Sequence, residues 1–362
     1  MFDFTQIVEP LLEWYDKGRR VLPWREEPTP YRVWISEIML QQTRVEAVKP
    51  YFERFMMALP NTKALAEVEE ESLLKLWEGL GYYNRARNLQ KAAIQIEEQH
   101  NGCIPSDYDT LLTLSGIGRY TAGAIASIAY GEKVPAVDGN VLRVIARVSA
   151  DDGDILTETV KRSVEQSLLA VMPEKRAGDF NQALMELGAM VCIPNGAPKC
   201  EVCPWYHFCE ARMQDKIDSL PKKTPKKART IEKKTILVIR DENKAALRKR
   251  PSKGLLAGLY EFPSMEGHRS SEDVIAYLKD LGLQPLRIQK LPDAKHIFTH
   301  KEWHMTGYIV RVDELAKTEE KVHDFLFIET KETEEQYPIP SAFVAYTKYL
   351  NIKIGNDKFV TE

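Results

Sequence analysis

Four of the five cysteines in this chain, Cys192, Cys200, Cys203 and Cys209, fall in one short stretch broken by Pro194, Pro198 and Pro204. A distributed disulfide framework is not spaced that way. The pattern C-x7-C-x2-C-x5-C crowds four thiols into a loop-rich segment, and such crowding calls for a metal. A structural zinc site usually pairs two C-x2-C knuckles across a longer gap. One C-x2-C with uneven spacing suits an iron–sulfur cubane better, with zinc second and a set of reduced, uncoordinated thiols third. Cys103 stands far off and reads as a buried or incidental thiol.

With 362 residues and 44% hydrophobic content, the chain is long enough for two cores. Up to about Leu220 the apolar residues recur at helical spacing, as in Leu73, Leu74, Leu76, Trp77 and Leu80, with short Gly and Pro breakers between segments. At Pro221-Lys222-Lys223-Thr224-Pro225-Lys226-Lys227 the apolar face disappears, marking an interdomain linker. Beyond it, Thr235–Ile239 reads as a strand, Ala245–Arg248 as its hairpin partner, 272–281 as a helix and 302–312 as strand-rich. The expected division is an all-helical domain over 1–220, a basic linker over 221–233 and an α+β domain over 234–362.

The net charge of −3 does not by itself suggest a nucleic-acid partner. Its distribution is more informative. From Lys216 to Lys234 eight Lys or Arg face only Asp218 and Glu232, while 313–335 is rich in acids. The basic run reads equally as a solvated linker or as a strap that contacts phosphates. No apolar stretch is long enough to span a bilayer, and the N-terminus lacks the pattern of a signal peptide, so a cytoplasmic protein is expected.

Leu114-Ser115-Gly116-Ile117-Gly118-Arg119-Tyr120-Thr121-Ala122 places two glycines before a helix start, an arrangement that exposes backbone N–H groups to a phosphate without reading sequence. On its own, such a G-x-G is more often a tight turn between packed helices. Downstream, Val137-Asp138-Gly139-Asn140-Val141 sets an acid in an apolar, glycine-containing context, where an Asp commonly caps a helix.

The order of these features, a hairpin at about 111–124, then V-D-G-N-V, then four cysteines over 192–209, resembles the endonuclease III superfamily of DNA glycosylases. Leu22-Pro23-Trp24-Arg25, Ser36-Glu37-Ile38-Met39-Leu40-Gln41-Gln42-Thr43, Gly79-Leu80-Gly81-Tyr82-Tyr83 and Phe180-Asn181-Gln182-Ala183 narrow the resemblance to its adenine-DNA glycosylases, the MutY type. The match runs over roughly 10–215 and continues more loosely to the end. The first cysteine gap departs from it, holding seven residues where the family commonly has six.

The resemblance implies an all-α helix-hairpin-helix glycosylase domain with a [4Fe-4S] loop, followed by an α+β, Nudix-like (MutT-like) domain. It implies a bacterial, nucleoid-associated monomer that acts on double-stranded DNA, flips out adenine mispaired with 8-oxoguanine or guanine, and hydrolyses its glycosidic bond. Glu37 would be the general acid and Asp138 the carboxylate that stabilises or captures the cationic sugar, supported by Tyr120 and Asn140. Trp24, Arg25, Leu40 and Gln182 would form the base pocket. Gln42, Thr43, Leu80 and Tyr82 would intercalate or contact the mispair, Gly116 and Gly118 would meet the DNA backbone, and the four cysteines would bind the cluster. Taken alone, Glu37 reads as a solvent-facing acid and Tyr82 as a half-buried aromatic.

Strand-cutting relatives carry a lysine nucleophile where this chain has Tyr120, and tyrosine cannot form a Schiff base, so a monofunctional enzyme is implied. In the C-terminal half, Gly254–Pro263 resembles the family's W-E-F-P segment with Tyr260 in place of Trp. Glu272, Asp273 and Asp280 do not make a working Nudix box. Phe298-Thr299-His300 stands where the family has the Phe-Ser-His loop that checks for 8-oxoguanine. The competing readings are a bifunctional lyase, opposed by Tyr120, and a non-catalytic lesion-binding or redox-sensing protein, which would need neither Glu37 nor Asp138.

Overall fold

The computed structural model describes residues 2–225, 227–313, 321–322 and 324–359; part of the acidic stretch noted above lies outside them. The chain forms two compact units, one of 1–67 and 88–225, the other of 68–87 and 226–362.

The described residues of the first unit are almost entirely helical. Its core joins Leu11 and Tyr15 of the helix Val8–Gly18 to Val141, Val144 and Ile145 of Gly139–Val148 and to Phe180, Leu184 and Leu187 of Ala177–Met190. Trp205, inside the cysteine loop, is buried in the same core and its indole N–H donates to the Ile7 carbonyl at 3.0 Å. A loop too proline-rich to hold itself is thereby fastened at one large side chain. The helix Pro30–Leu40 starts on a Thr29 cap with proline in its first turn, and Val33 to Met39 are all buried. Such a helix has no solvent-facing side on which an acid would rest.

The second unit is built on a mixed sheet. Its strands are β1 (Thr230–Asp241), β2 (Lys244–Lys249), β3 (Tyr260–Glu261), β4 (Ser264–Glu266), β5 (Pro285–Ile297), β6 (Lys301–Val312), β7 (Lys321–Val322) and β8 (Phe325–Glu329). The order is β5-β6-β1-β2-β8-β7, with β3 on β2 and β4 on β1; β1 and β6 run parallel and the other pairs antiparallel. Ile236 and Val238 enter a core with Phe343 and Tyr346, whereas Leu237 and Ile239 pack with Val274 and Leu278 of the helix Ser271–Asp280. Both faces are covered, which explains why β1 reads as a continuous apolar run and does not alternate.

Two boundaries differ from the sequence expectation. β1 begins at Thr230, inside the expected 221–233 linker, because 230–234 pair with 301–305 of β6. Val68–Arg87, which carries the helix Glu70–Leu76, groups with the sheet. Local periodicity announces a helix but not the core on which it packs.

Candidate active site

Glu37 lies in the buried helix Pro30–Leu40 with 6% of its surface exposed. Tyr120, at the start of the helix Arg119–Tyr130, donates its hydroxyl to Glu37 Oε2 and lies 3.4 Å from Met185 Sδ. Burial raises the Glu37 carboxyl to about 7; the Tyr120 bond opposes that rise, the Asp138 charge adds to it, and Arg25 opposes it. Tyr120 is pushed well above its ordinary value by burial and by both carboxylates, so it keeps its proton.

Asp138 caps the helix Gly139–Val148, accepting from the Val141 N–H at 2.8 Å on Oδ1 and from Asn140 Nδ2 at 2.7 Å on Oδ2. The capping role read from sequence and the proximity to Glu37 are both present in one side chain. Burial raises Asp138, while those N–H donors and Arg143 pull it back. Glu37 is thus desolvated beside a hydroxyl, whereas Asp138 sits among N–H donors. Arg143 continues the chain of bonds, reaching Asn140 Oδ1 at 2.9 Å, the Gly188 carbonyl at 2.8 Å and the Cys192 carbonyl at 2.9 Å.

A cavity of about 610 Å³ has Arg25 and Gln182 in its wall, with Tyr15, Arg19 and Arg20, but not Glu37, Trp24 or Leu40. Trp24 is buried with its ring edge on Phe52, and Leu40 is half-buried at the end of its helix. Sequence reasoning missed Glu186, whose fully buried carboxylate binds Arg20 at 2.7 Å and Arg25 at 2.9 Å. Burial alone would raise Glu186, but the two guanidinium groups outweigh it and hold the carboxyl below its ordinary value. Like Glu37, it is an acid flanked by apolar residues in a helix.

Gly116 adopts φ +76°, and a Cβ there would lie 2.6 Å from Asn88 Cβ, so glycine is needed for backbone and packing alike. Gly118 has open space around it, and the helix it begins has no side-chain cap. Among the described residues, no atom stands where a side chain at 118 would go. Gln42 is exposed in a left-handed turn (φ +60°) after Leu40, next to half-buried Thr43.

The four cysteines line one small apolar cavity with Arg147 and Arg212. Among the described residues, no three His, Cys, Asp or Glu side chains are grouped as a single metal ion needs. Arg147 Nη1 donates to Cys192 Sγ at 3.3 Å. Burial raises the thiols of Cys200, Cys203 and Cys209, that of Cys203 to about 12, so a bound cationic centre is what would keep them as thiolates. The donor set, four thiols with guanidinium support in an apolar pocket, fits an iron–sulfur cluster. Cys103, read from the sequence as a buried or incidental thiol, is exposed.

In the second unit, the β5–β6 connection holds Phe298, Thr299 and His300. Phe298 is half-buried against Trp303 (4.9 Å between ring centroids) and His296 (4.5 Å), leaving Thr299 and His300 exposed. Tyr82, 55% exposed, hydrogen-bonds through its hydroxyl to Thr299 Oγ1 at 3.0 Å; Leu80 beside it is buried.

The family model for HhH-GPD superfamily base excision DNA repair proteins matches residues 35–169, and a NUDIX domain model matches 235–349. Adenine DNA glycosylase of Buchnera aphidicola is 33% identical over 91% of this chain and 92% of its own length. The chain belongs to the adenine DNA glycosylase family. The mouse glycosylase of the same name is 34% identical over 86% of this chain and 72% of its own length. Among solved structures, a thermostable thymine-DNA glycosylase superposes with a TM-score of 0.53 at 28% identity, covering 58% of this chain and 96% of that one. A non-covalent endonuclease III–DNA complex gives 0.50 at 27%, covering 59% and 100%. As a member of this glycosylase family, the chain is a DNA N-glycosylase of base excision repair, and among the described residues no helix is long and apolar enough to cross a membrane.

Proposed function

We propose that the protein removes adenine from double-stranded DNA in which it is mispaired with 8-oxoguanine or guanine, and leaves an abasic site. The observation that carries this reading is the acid pair: Glu37, raised to about 7, beside Asp138 held among N–H donors. Two carboxylates whose environments separate their roles are what breaking a glycosidic bond requires. Glu37 gives its proton to N7 of the flipped adenine. The C1′–N9 bond breaks with its electron pair on the base, and the Asp138 carboxylate stabilises the positive charge on the sugar. Water then adds to C1′ and its proton returns to Glu37. Tyr120 and Asn140 hold the two acids in place, and the hydroxyl of Tyr120 offers no amine for strand cleavage.

Arg25 and Gln182 contact the flipped base with Trp24 and Leu40 nearby, Gly116 and Gly118 meet a DNA phosphate, Gln42, Thr43 and Tyr82 contact the mispair, and Thr299 and His300, anchored by Phe298, read the 8-oxoguanine. Cys192, Cys200, Cys203 and Cys209 hold a [4Fe-4S] cluster, which when bound supplies iron–thiolate cross-links across a loop with little regular structure.

The test is single-turnover adenine release from duplexes carrying A opposite 8-oxoguanine, G or T, with the native protein and Asp138→Asn. Fast release opposite 8-oxoguanine that vanishes in the variant is the expected result. No release from any duplex by cluster-loaded protein would sink the reading.

A further inference from the structure

Within the second unit, Glu78 stands four residues before Tyr82 and is 1% exposed. Its carboxylate collects partners from two separate pieces of the C-terminal tail: Oε1 accepts from the Ile339 N–H at 2.8 Å, and Oε2 from the Gly355 N–H at 3.2 Å and faces Lys358 Nζ at 3.3 Å. Lys75, in the helix Glu70–Leu76, binds Glu78 at 2.9 Å and also donates to the Tyr337 carbonyl at 2.7 Å. One buried acid and one half-buried amine therefore fasten 70–78 to 337–358.

The loop that follows has little hold of its own. Gly79, Gly81 and Tyr82 all have positive φ (100°, 70° and 47°), so no regular ladder forms there. Its carbonyls are held from the flanks. Trp77 Nε1 donates to Gly81 O at 3.1 Å, and Arg85 Nη2 reaches Leu80 O at 2.9 Å and Gly81 O at 3.1 Å. Thr299 hangs from the same structure by another route. Phe298 packs on Trp303, which shares a core with Ile339, Phe343 and Ile354, residues of the tail that Glu78 grips.

We infer that Glu78 is the positioning residue that sets Tyr82 against Thr299, and so tunes discrimination of the base opposite adenine without touching DNA. This rests on the proposed reading of Tyr82 and Thr299 as contacts to that base. A carboxylate offers acceptors only, and the Ile339 and Gly355 N–H groups and the Lys75 and Lys358 amines all converge on this one. Glu78→Gln keeps the shape but turns an NH2 group toward donors, so part of the clasp must open.

The test compares single-turnover adenine release opposite 8-oxoguanine and opposite G for the native protein, Glu78→Gln, Tyr82→Phe and the double variant. In Glu78→Gln the 8-oxoguanine-to-G rate ratio is expected to fall about tenfold, the scale of one lost hydrogen bond, with the rate opposite G within about threefold of native. The double variant should be no worse than the more damaging single one, a non-additivity that a general loss of stability would not produce. A native protein with equal rates on the two duplexes overturns the reading of Tyr82 and Thr299, and this inference with it. A native protein that discriminates, joined to a folded Glu78→Gln with an unchanged ratio, overturns the positioning role alone. Should Glu78→Gln not fold, Lys358→Met removes one partner only, and an unchanged ratio there overturns the role equally.

Discussion

Glu37 in the helical unit is buried and Asp138 half-buried, and both are held by side chains and backbone of their surroundings. Thr299 and His300 in the sheet unit are exposed at a strand connection, with Phe298 as their anchor. The difference follows from what each region is proposed to do. Proton transfer to adenine needs a desolvated acid whose pKa has been moved; inspection of a base in a duplex needs side chains that the base can reach. In the first region burial does the tuning, so single changes should be large. In the second, contacts are few and replaceable, so single changes should be small.

The largest expected effect is that of Asp138→Asn, a loss of about 10³-fold or more in single-turnover adenine release, on the scale of removing a charge-stabilising group from an active site. A residual rate within about tenfold of native would place Asp138 outside the chemistry and erase the contrast. Glu37→Gln should lower release by about 10²- to 10⁴-fold, and in the native protein the rate should fall as pH rises through about 7, where Glu37 loses its proton. The same shift acts on stability. The folded protein retains a proton that the unfolded chain releases near 4.5, so native stability declines as pH rises from about 4.5 to 7 and then levels. Relative to native, Glu37→Gln should gain on the order of 3 kcal/mol between pH 4 and 8 in denaturant melts. A flat difference between the two melts would show that Glu37 is not desolvated as described.

Cys203→Ser should lose the cluster's visible absorbance and destabilise the helical unit, read as a lower melting temperature of the protein as purified. Retention of full absorbance would remove Cys203 from the ligand set. Smallest is Thr299→Val, which keeps shape and deletes the hydroxyl. The 8-oxoguanine-to-G rate ratio should drop by a few-fold to about tenfold, the value of one exposed hydrogen bond. A drop as large as that of Asp138→Asn would mean that the sheet unit controls the chemical step, and the contrast between the regions would not hold.

The site in the helical unit was more legible in the sequence than the one in the sheet unit, for a physical reason. Asp138 announces itself as a cap through Gly139 and a following apolar helix, whereas Glu37, which read alone as a solvent-facing acid, was singled out by the family resemblance, although it stands in an apolar run. The cysteines carry their spacing on their face. Tyr82 and Thr299 are separated by more than two hundred residues and meet through a pairing that no local period encodes. The helix Glu70–Leu76 was readable as a helix, but its attachment to the sheet rests on Glu78 meeting backbone N–H groups of Ile339 and Gly355, a contact with no sequence signature. The start of β1 was misplaced because Lys233 and Lys234, coming just after Lys227 and Arg229, make its first half resemble a solvated linker; pairing with β6 decides otherwise. Glu186 stands in the same kind of apolar run as Glu37, and no resemblance pointed to it.

Asp138 closes the first turn of a helix, and asparagine performs that duty about as well as aspartate. This exchange removes the negative charge and keeps the cap on the Val141 N–H, while giving up the second acceptor that Asn140 uses. If Asp138 acts as proposed, Asp138→Asn should hold this protein on DNA with the base still attached for long enough to crystallise or image the complex before the bond breaks, and release of the base on that timescale would show otherwise.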